Sequence, residues 1–259
     1  MSECALVTGA SGGIGLALAE CFARDGIAPV LVARNAERLA AESARLSATY
    51  RVDAQFVALD LGELGAAERL AGELESRALE VGWLVNNAGF ATYGQFAETS
   101  LDDERQELLL NVVTLTELTK LLVRGMLERK RGRIMNVAST AAFQPGPLMA
   151  VYFASKAYVL SFSEALGEEL SGTGVSVTCL CPGATESGFQ ERAQMGGVPL
   201  FAGRKLPTSQ SVARSGYRAM RAGKRLVIPG ALNAFGAFAL RAAPRGAVLK
   251  MSRRLLERG

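Results

Sequence analysis

Short apolar runs alternate along the chain with longer stretches in which apolar positions recur every three or four residues. The short runs predict strands at Ala5–Thr8, Pro29–Ala33, Ala54–Leu59, Trp83–Asn86, Arg133–Ala138, Val175–Leu180 and Leu226–Ile228. The longer ones predict helices at about 13–25, 36–49, 62–79, 104–130, 151–171, 209–222 and 232–256. The strands are continuous apolar runs rather than strict alternations, as expected when helices cover both faces of a parallel sheet. Repeated strand–helix alternation predicts an α/β, Rossmann-type doubly wound sheet in three layers. No repeat, low-complexity tract or linker divides the 259 residues. The expectation is one domain, with a core at 4–230 and a helical extension at 231–259 broken near Pro244 and Gly246.

Composition narrows the chemistry more than the fold. The chain has no histidine, which excludes a Ser-His-Asp triad, a histidine base and a histidine-ligated metal. Catalysis would have to use Tyr, Lys, Ser, a carboxylate or a cofactor. The four cysteines form no C-x-x-C pair, and Cys179 and Cys181 share one face of a predicted strand, as core residues do. Residues 1–191 carry 15 basic and 24 acidic side chains, a net of −9; residues 192–259 carry 14 basic and one acidic, a net of +13. That asymmetry suits an anionic partner, but no zinc-finger spacing or aromatic–basic motif accompanies it, so nucleic acid is not expected. No apolar stretch reaches the roughly 18 residues of a membrane span, and no basic leader precedes the first strand. A cytoplasmic location is expected.

Three stretches carry the chemistry. Thr8-Gly9-Ala10-Ser11-Gly12-Gly13-Ile14-Gly15 lies between the first strand and the first helix. A glycine turn there lets a pyrophosphate approach the backbone and the free N–H groups of the helix. The second strand ends in Leu31-Val32-Ala33-Arg34-Asn35, without the carboxylate that binds the ribose hydroxyl of NAD. Arg34 could instead receive the 2′-phosphate of NADP, or simply pair with Glu37 in solvent. NADP(H) is the expected cofactor and NAD(H) the lesser alternative. Tyr152 and Lys156 stand four residues apart in Tyr152-Phe153-Ala154-Ser155-Lys156 and so share one helix face. A phenol is a poor base near neutrality; an adjacent ammonium lowering its pKa by about three units would supply roughly 4 kcal/mol.

With Asp60-Leu61, Asn86-Asn87-Ala88-Gly89, Asn111 and Ser139 in order and spacing, the chain closely resembles the short-chain dehydrogenase/reductase family over about residues 4–190. The resemblance implies a catalytic set of Asn111, Ser139, Tyr152 and Lys156. Tyr152 would be the general acid/base and Ser139 would polarise the carbonyl. Lys156 would also hold the nicotinamide ribose, and Asn111 would support a water-linked proton relay. Cofactor contacts would come from Gly9, Ser11, Gly13, Ile14, Gly15, Arg34, Asp60, Leu61, Asn87, Ala88, Gly89, Tyr152 and Lys156. Pro182 and Gly183 would add a turn, with Thr185 or Ser187 reaching the carboxamide. Asn111 could otherwise be a kink or a satisfied core amide, and Asp60 a helix cap. No metal is implied. The family also suggests a homodimer or homotetramer.

The stretches that would line a substrate pocket hold Phe143, Pro145, Pro147, Leu148, Met149, Phe189, Met195, Val198, Leu200 and Phe201, which favours a small apolar carbonyl or alcohol. In the extension, Phe235, Phe238, Leu240, Val248, Leu249, Leu255 and Leu256 interleave with Arg241, Arg245, Lys250, Arg253, Arg254 and Arg258. Such a segment could pack on the protein, join a subunit interface or lie on a membrane. The leading expectation is an NADPH-dependent carbonyl reductase, reversible as an alcohol dehydrogenase. Its rival is an NADP(H)-binding sensor or scaffold with little catalysis.

Overall fold

The structure, a computed structural model, describes residues 3–193, 195–199 and 206–258. Seven strands form one parallel sheet: β1 (Glu3–Thr8), β2 (Ala28–Ala33), β3 (Gln55–Ala58), β4 (Glu80–Asn86), β5 (Gly132–Val137), β6 (Val175–Leu180) and β7 (Leu226–Val227). Their order is β3-β2-β1-β4-β5-β6-β7, so the chain reverses direction across the sheet between β1 and β4. Ligands of open α/β sheets bind at the carboxyl ends of strands beside such a reversal.

Alternating residues of each strand feed two cores. Ala5, Val7, Leu31, Val85 and Met135 pack against α1 (Gly13–Arg24), α2 (Ala36–Tyr50) and α8 (Ser209–Arg221) on one face. Leu6, Val30, Val32, Leu84 and Ile134 pack on the other against α3 (Ala66–Ser76) and α5 (Leu115–Glu128). Helix α6 (Ala150–Glu169) lies on that second face over Cys179 and Cys181, which are fully buried as expected.

The strands fall where the apolar runs place them, but several helix ends do not. Helix α3 begins at Ala66 rather than 62 because Asp60 Oδ1 accepts the Gly62 N–H at 2.9 Å and Gly65 turns through a left-handed φ of 73°. Asp60 therefore caps a turn, not a helix. The helix expected at 104–130 starts as α4 (Leu101–Leu108), where the Ser100 hydroxyl accepts the Asp103 N–H at 3.3 Å. It passes through a π-helical turn, Leu109–Thr114, into α5. The extension is two helices, α9 (Ala231–Ala242) and α10 (Arg245–Leu256), parted at Ala243–Pro244 as the proline predicts. A short helix, α7 (Phe189–Arg192), was not legible in the pattern.

Candidate active site

The carboxyl ends of β1 and β4 are stitched together. Thr8 Oγ1 accepts the N–H groups of Asn87 and Ala88 at 3.0 Å each and donates to Val85 O at 3.2 Å. Asn87 Nδ2 donates in return to Thr8 O at 2.9 Å. The glycines of the first loop make this closeness feasible. A side chain on Gly15 would collide with Asn87 Nδ2 and Gly9 O, and one on Gly9 would stand 2.8 Å from Asn87 Nδ2. Gly13 takes a positive φ of 56° on the open side.

This cradle fits a dinucleotide. Gly12 caps α1 without any side-chain hydrogen bond, and the first turn of the helix holds no acidic residue. Its N–H groups are thus left for an external anion. A cavity of about 400 Å³ opens there, lined by Gly12, Gly13, Arg38, Ser187 and Thr208 among others. Arg34 at the end of β2 lies 3.6 Å from Asp60 rather than pairing with Glu37, with both side chains well exposed. The guanidinium of Arg38 reaches over Gly12, 3.1 Å from where a Cβ would stand. Asn35 holds that first turn of α2 by accepting the Arg38 N–H at 2.8 Å. Two arginines thus stand near the glycine loop and the end of β2. Arg38 was missed in the sequence because an arginine in a first helical turn reads as solvated surface.

Asn111, Ser139, Tyr152 and Lys156 come together at the ends of β4 and β5. Lys156 Nζ donates to Val137 O at 3.0 Å and lies 5.7 Å from the centre of the Tyr152 ring. Asn111 sits in the π-helical turn. Its amide pairs with the backbone of Phe90, accepting N–H at 3.2 Å and donating to O at 3.0 Å, and also donates to Ser155 Oγ at 3.1 Å. It is both a kink residue and a satisfied amide. A Cβ at Gly89 would stand 2.9 Å from Asn111 Oδ1 and 3.4 Å from Lys156 Nζ, so the Asn87–Gly89 loop lies directly against the pair. Thr114 Oγ1 donates to Leu61 O at 2.8 Å, tying the Asp60-Leu61 turn to the same helix. Ser139 Oγ accepts the Ala141 N–H at 3.1 Å, which leaves its own proton for another acceptor.

The electrostatics differ from the sequence expectation in one respect. Tyr152 is buried, and loss of solvation pushes its phenol up, not down; a hydrogen bond with Ser139 opposes this and the Glu107 carboxylate adds to it. Desolvation is the largest of these effects. Burial also lowers Lys156 from 10.5 to about 8. A third titrating group, Glu107, was not foreseen. It is fully buried one turn before Asn111, and its Oε2 accepts the Thr92 N–H at 2.7 Å while Oε1 has no partner. Burial pushes it up from 4.5 to about 7. Its place in the run Asp102-Asp103-Glu104-Arg105-Gln106-Glu107 reads as a solvated helix face.

Around Tyr152 lies an apolar cluster containing Ala91, Met149, Phe153, Met195, Val198 and Leu256, with Phe189 at 5.4 Å from the phenol ring. Four of the expected lining residues, Met149, Phe189, Met195 and Val198, meet there; Phe143 packs instead under α6. Leu200 and Phe201 lie outside the described residues. The carbonyl of Leu148, in a left-handed conformation with φ 68°, accepts the Gly94 N–H at 2.9 Å and ties the two rims together. Of the two candidate hydroxyls after Pro182-Gly183, Thr185 is turned back onto Gly183 O at 2.9 Å, while Ser187 faces Gly13.

Comparison with known proteins agrees with this geometry. Residues 3–196 match the family described as short chain dehydrogenase. The chain is 36% identical over 181 residues to hydroxysteroid dehydrogenase-like protein 1 of Gallus gallus, covering 69% of this chain and 54% of that one. It is 33% identical over 186 residues to the very-long-chain 3-oxoacyl-CoA reductase of Bos taurus, covering 70% and 59%. The match thus spans little more than half the length of these curated relatives. A short-chain dehydrogenase from Sphingobium yanoikuyae, solved in complex with NADPH, superposes with a TM-score of 0.84 at 31% identity over 95% of this chain and 94% of that one. The bulky-bulky ketone specific alcohol dehydrogenase of Comamonas testosteroni gives 0.79 at 26% identity over 93% and 92%. The chain belongs to the short-chain dehydrogenase/reductase family of nicotinamide-dependent oxidoreductases.

Proposed function

We propose that this chain is an NADPH-dependent reductase of apolar ketones or aldehydes, reversible as an alcohol dehydrogenase. The observation that carries the reading is the meeting of Tyr152 and Lys156, 5.7 Å from ring centre to Nζ, with Ser139 beside a cluster of apolar side chains. A phenol that is protonated at neutral pH holds a proton for the strongly basic alkoxide oxygen that forms as the carbonyl carbon takes up hydride. The bound nicotinamide supplies the hydride that the carbonyl carbon takes up. The Ser139 hydroxyl, which hydrogen-bonds Tyr152, would turn its proton to the substrate's carbonyl oxygen and orient that oxygen toward the phenol. Lys156 keeps further N–H donors for the ribose hydroxyls and for the phenolate left after proton transfer. Asn111 and Ser155 hold the backbone at Phe90 and Lys156's helix in register, beside the route by which that proton is replaced. Arg34 and Arg38 support NADPH over NADH, since guanidinium forks match a 2′-phosphate and no carboxylate ends β2.

The apolar walls favour a substrate with a bulky or extended hydrocarbon part. The names of the relatives suggest two chemical classes for this, sterol-like ketones and long 3-oxoacyl thioesters. The test is oxidation of NADPH and NADH with small, aromatic, steroidal and long-chain carbonyls, with Tyr152→Phe as control. NADPH-selective turnover on the larger substrates, reduced at least 100-fold in the variant without loss of NADPH binding, is expected. Tight NADPH binding with no turnover on any class, unchanged by Tyr152→Phe, would refute it and favour a sensor.

A further inference from the structure

Among the described residues, nothing packs on the outer face of α9. Leu232, Phe235 and Phe238 are 88%, 72% and 74% exposed, and Ala231 and Ala239 fill the gaps between them. At 100° per residue these five positions occupy one third of the helix circumference, without a charge among them. The opposite side is the one that holds the helix to the protein: Ala237 is buried, and Asn233 Nδ2 donates to Pro229 O at 2.8 Å. Soluble chains seldom leave three large neighbouring side chains so far in water.

The cations follow α9 directly in the sequence. Residues 231–258 contain six basic side chains and one acidic, Glu257. Helix α10 buries Val248, Ser252 and Leu256 and turns Lys250, Arg253 and Arg254 outward, with Leu249 and Met251 half-exposed beside them. We infer that α9 and α10 form a peripheral docking surface for an anionic lipid bilayer, with Leu232, Phe235 and Phe238 entering the interface and the α10 cations meeting the head groups. Charge decides between this occupant and a second copy of the chain. A two-fold contact would set the same patch against itself, opposing a net +5 with another +5, whereas an anionic surface neutralises both. No helix of the described residues is long and apolar enough to cross a membrane, so the contact is one of lying on the surface.

The surface adjoins the candidate active site. Leu256, at the end of α10, belongs to the apolar cluster around Tyr152, and its carbonyl accepts the Tyr93 hydroxyl at 2.6 Å. A bilayer held against α9 and α10 would adjoin the rim of that cluster.

The test uses the full chain and sedimentation with vesicles of phosphatidylcholine alone or with 30% phosphatidylglycerol (about a third anionic), beside Leu232→Ser/Phe235→Ser/Phe238→Ser. Thermal melting and NADPH binding confirm that the variant is folded; neither depends on turnover or on any substrate. The expected result is binding to anionic vesicles at least tenfold stronger than to neutral ones, weakened by 0.5 M salt (a level that screens surface charge) and reduced at least tenfold in the triple variant. Lys250→Glu/Arg254→Glu should lose the anionic preference alone. Absence of vesicle binding by the wild-type chain would overturn the inference. So would a wild-type oligomer that does not bind vesicles and falls to monomers in the triple variant, since the face would then join copies of this chain.

Discussion

Replacing Glu107 by Gln should make the protein more stable at neutral and alkaline pH, although the residue is completely buried and hydrogen-bonded. The carboxyl group rises from 4.5 to about 7 on folding, chiefly through loss of solvation. The nearby Glu104 carboxylate pushes the same way, while Lys156 and the Thr92 N–H oppose it. Between those two pH values the folded chain binds a proton that the unfolded chain has released, so stability falls as pH rises through this window. Above it the cost is complete, about 3 kcal/mol at roughly 1.4 kcal/mol per unit. A glutamine keeps a carbonyl oxygen for the Thr92 N–H, now bound at 2.7 Å. Its NH2 falls where Oε1 has no partner, a penalty of about 1 kcal/mol. The net gain at pH 8 is then about 2 kcal/mol, or about 4–8 °C in Tm, and it disappears at pH 4. Urea unfolding of both proteins at pH 4, 6 and 8 measures it. A variant that is less stable at pH 8, or a difference that does not change with pH, would refute the reasoning. It would mean that Lys156 compensates the carboxylate fully.

Other outcomes follow from the same geometry. Lys156 titrates near 8, so the reductase rate should fall as pH rises through that value; in Glu107→Gln, which loses a charge favouring the ammonium, the fall should move to lower pH in a rate profile. Arg34→Ala and Arg38→Ala should each raise KM for NADPH about tenfold, leaving KM for NADH nearly unchanged; equal effects on both cofactors would remove these side chains from the 2′-phosphate. Asn136→Ala should cost about 2–3 kcal/mol in urea unfolding. That side chain accepts from Asn86 Nδ2 and donates to Ser163 Oγ, each at 2.9 Å, in a dry layer between β4, β5 and α6.

The parallel sheet and the common helix face of Tyr152 and Lys156 were legible because each rests on a local rule. Continuous apolar runs mark buried parallel strands, and Tyr152 and Lys156 share a helix face by spacing alone. The direction of the Tyr152 shift was not legible, since it depends on how Phe153, Phe189 and Met195 close around the phenol from separate segments. Glu107 and Asn136 were missed for a related reason: a polar residue reads as surface unless its partners, here Thr92, Asn86 and Ser163, are known. The start of the helix at Leu101 could have been found, because Ser100 followed by three acidic residues is a capping signal. The π-helical turn could not, since Leu108-Leu109-Leu110 is apolar throughout and carries no phase.

That turn also bears on how this stretch can change over time. Leu109–Thr114 amounts to one residue more than an α-helix needs between two inward-facing sets: Glu107 and Asn111 on the side of Lys156, Leu118, Thr119 and Met126 toward the sheet. Deleting a residue such as Val112 or Val113 would restore regular helical bonding and leave the two sets facing as they do, because the turn absorbs one extra residue without changing the phase of its flanks. Substitution is constrained at Asn111 and Thr114, which are buried and hydrogen-bonded to Phe90, Ser155 and Leu61. The partly exposed Leu109, Leu110, Val112 and Val113 are free to vary among apolar side chains, and a chain that lost one of these four would keep both faces of the helix.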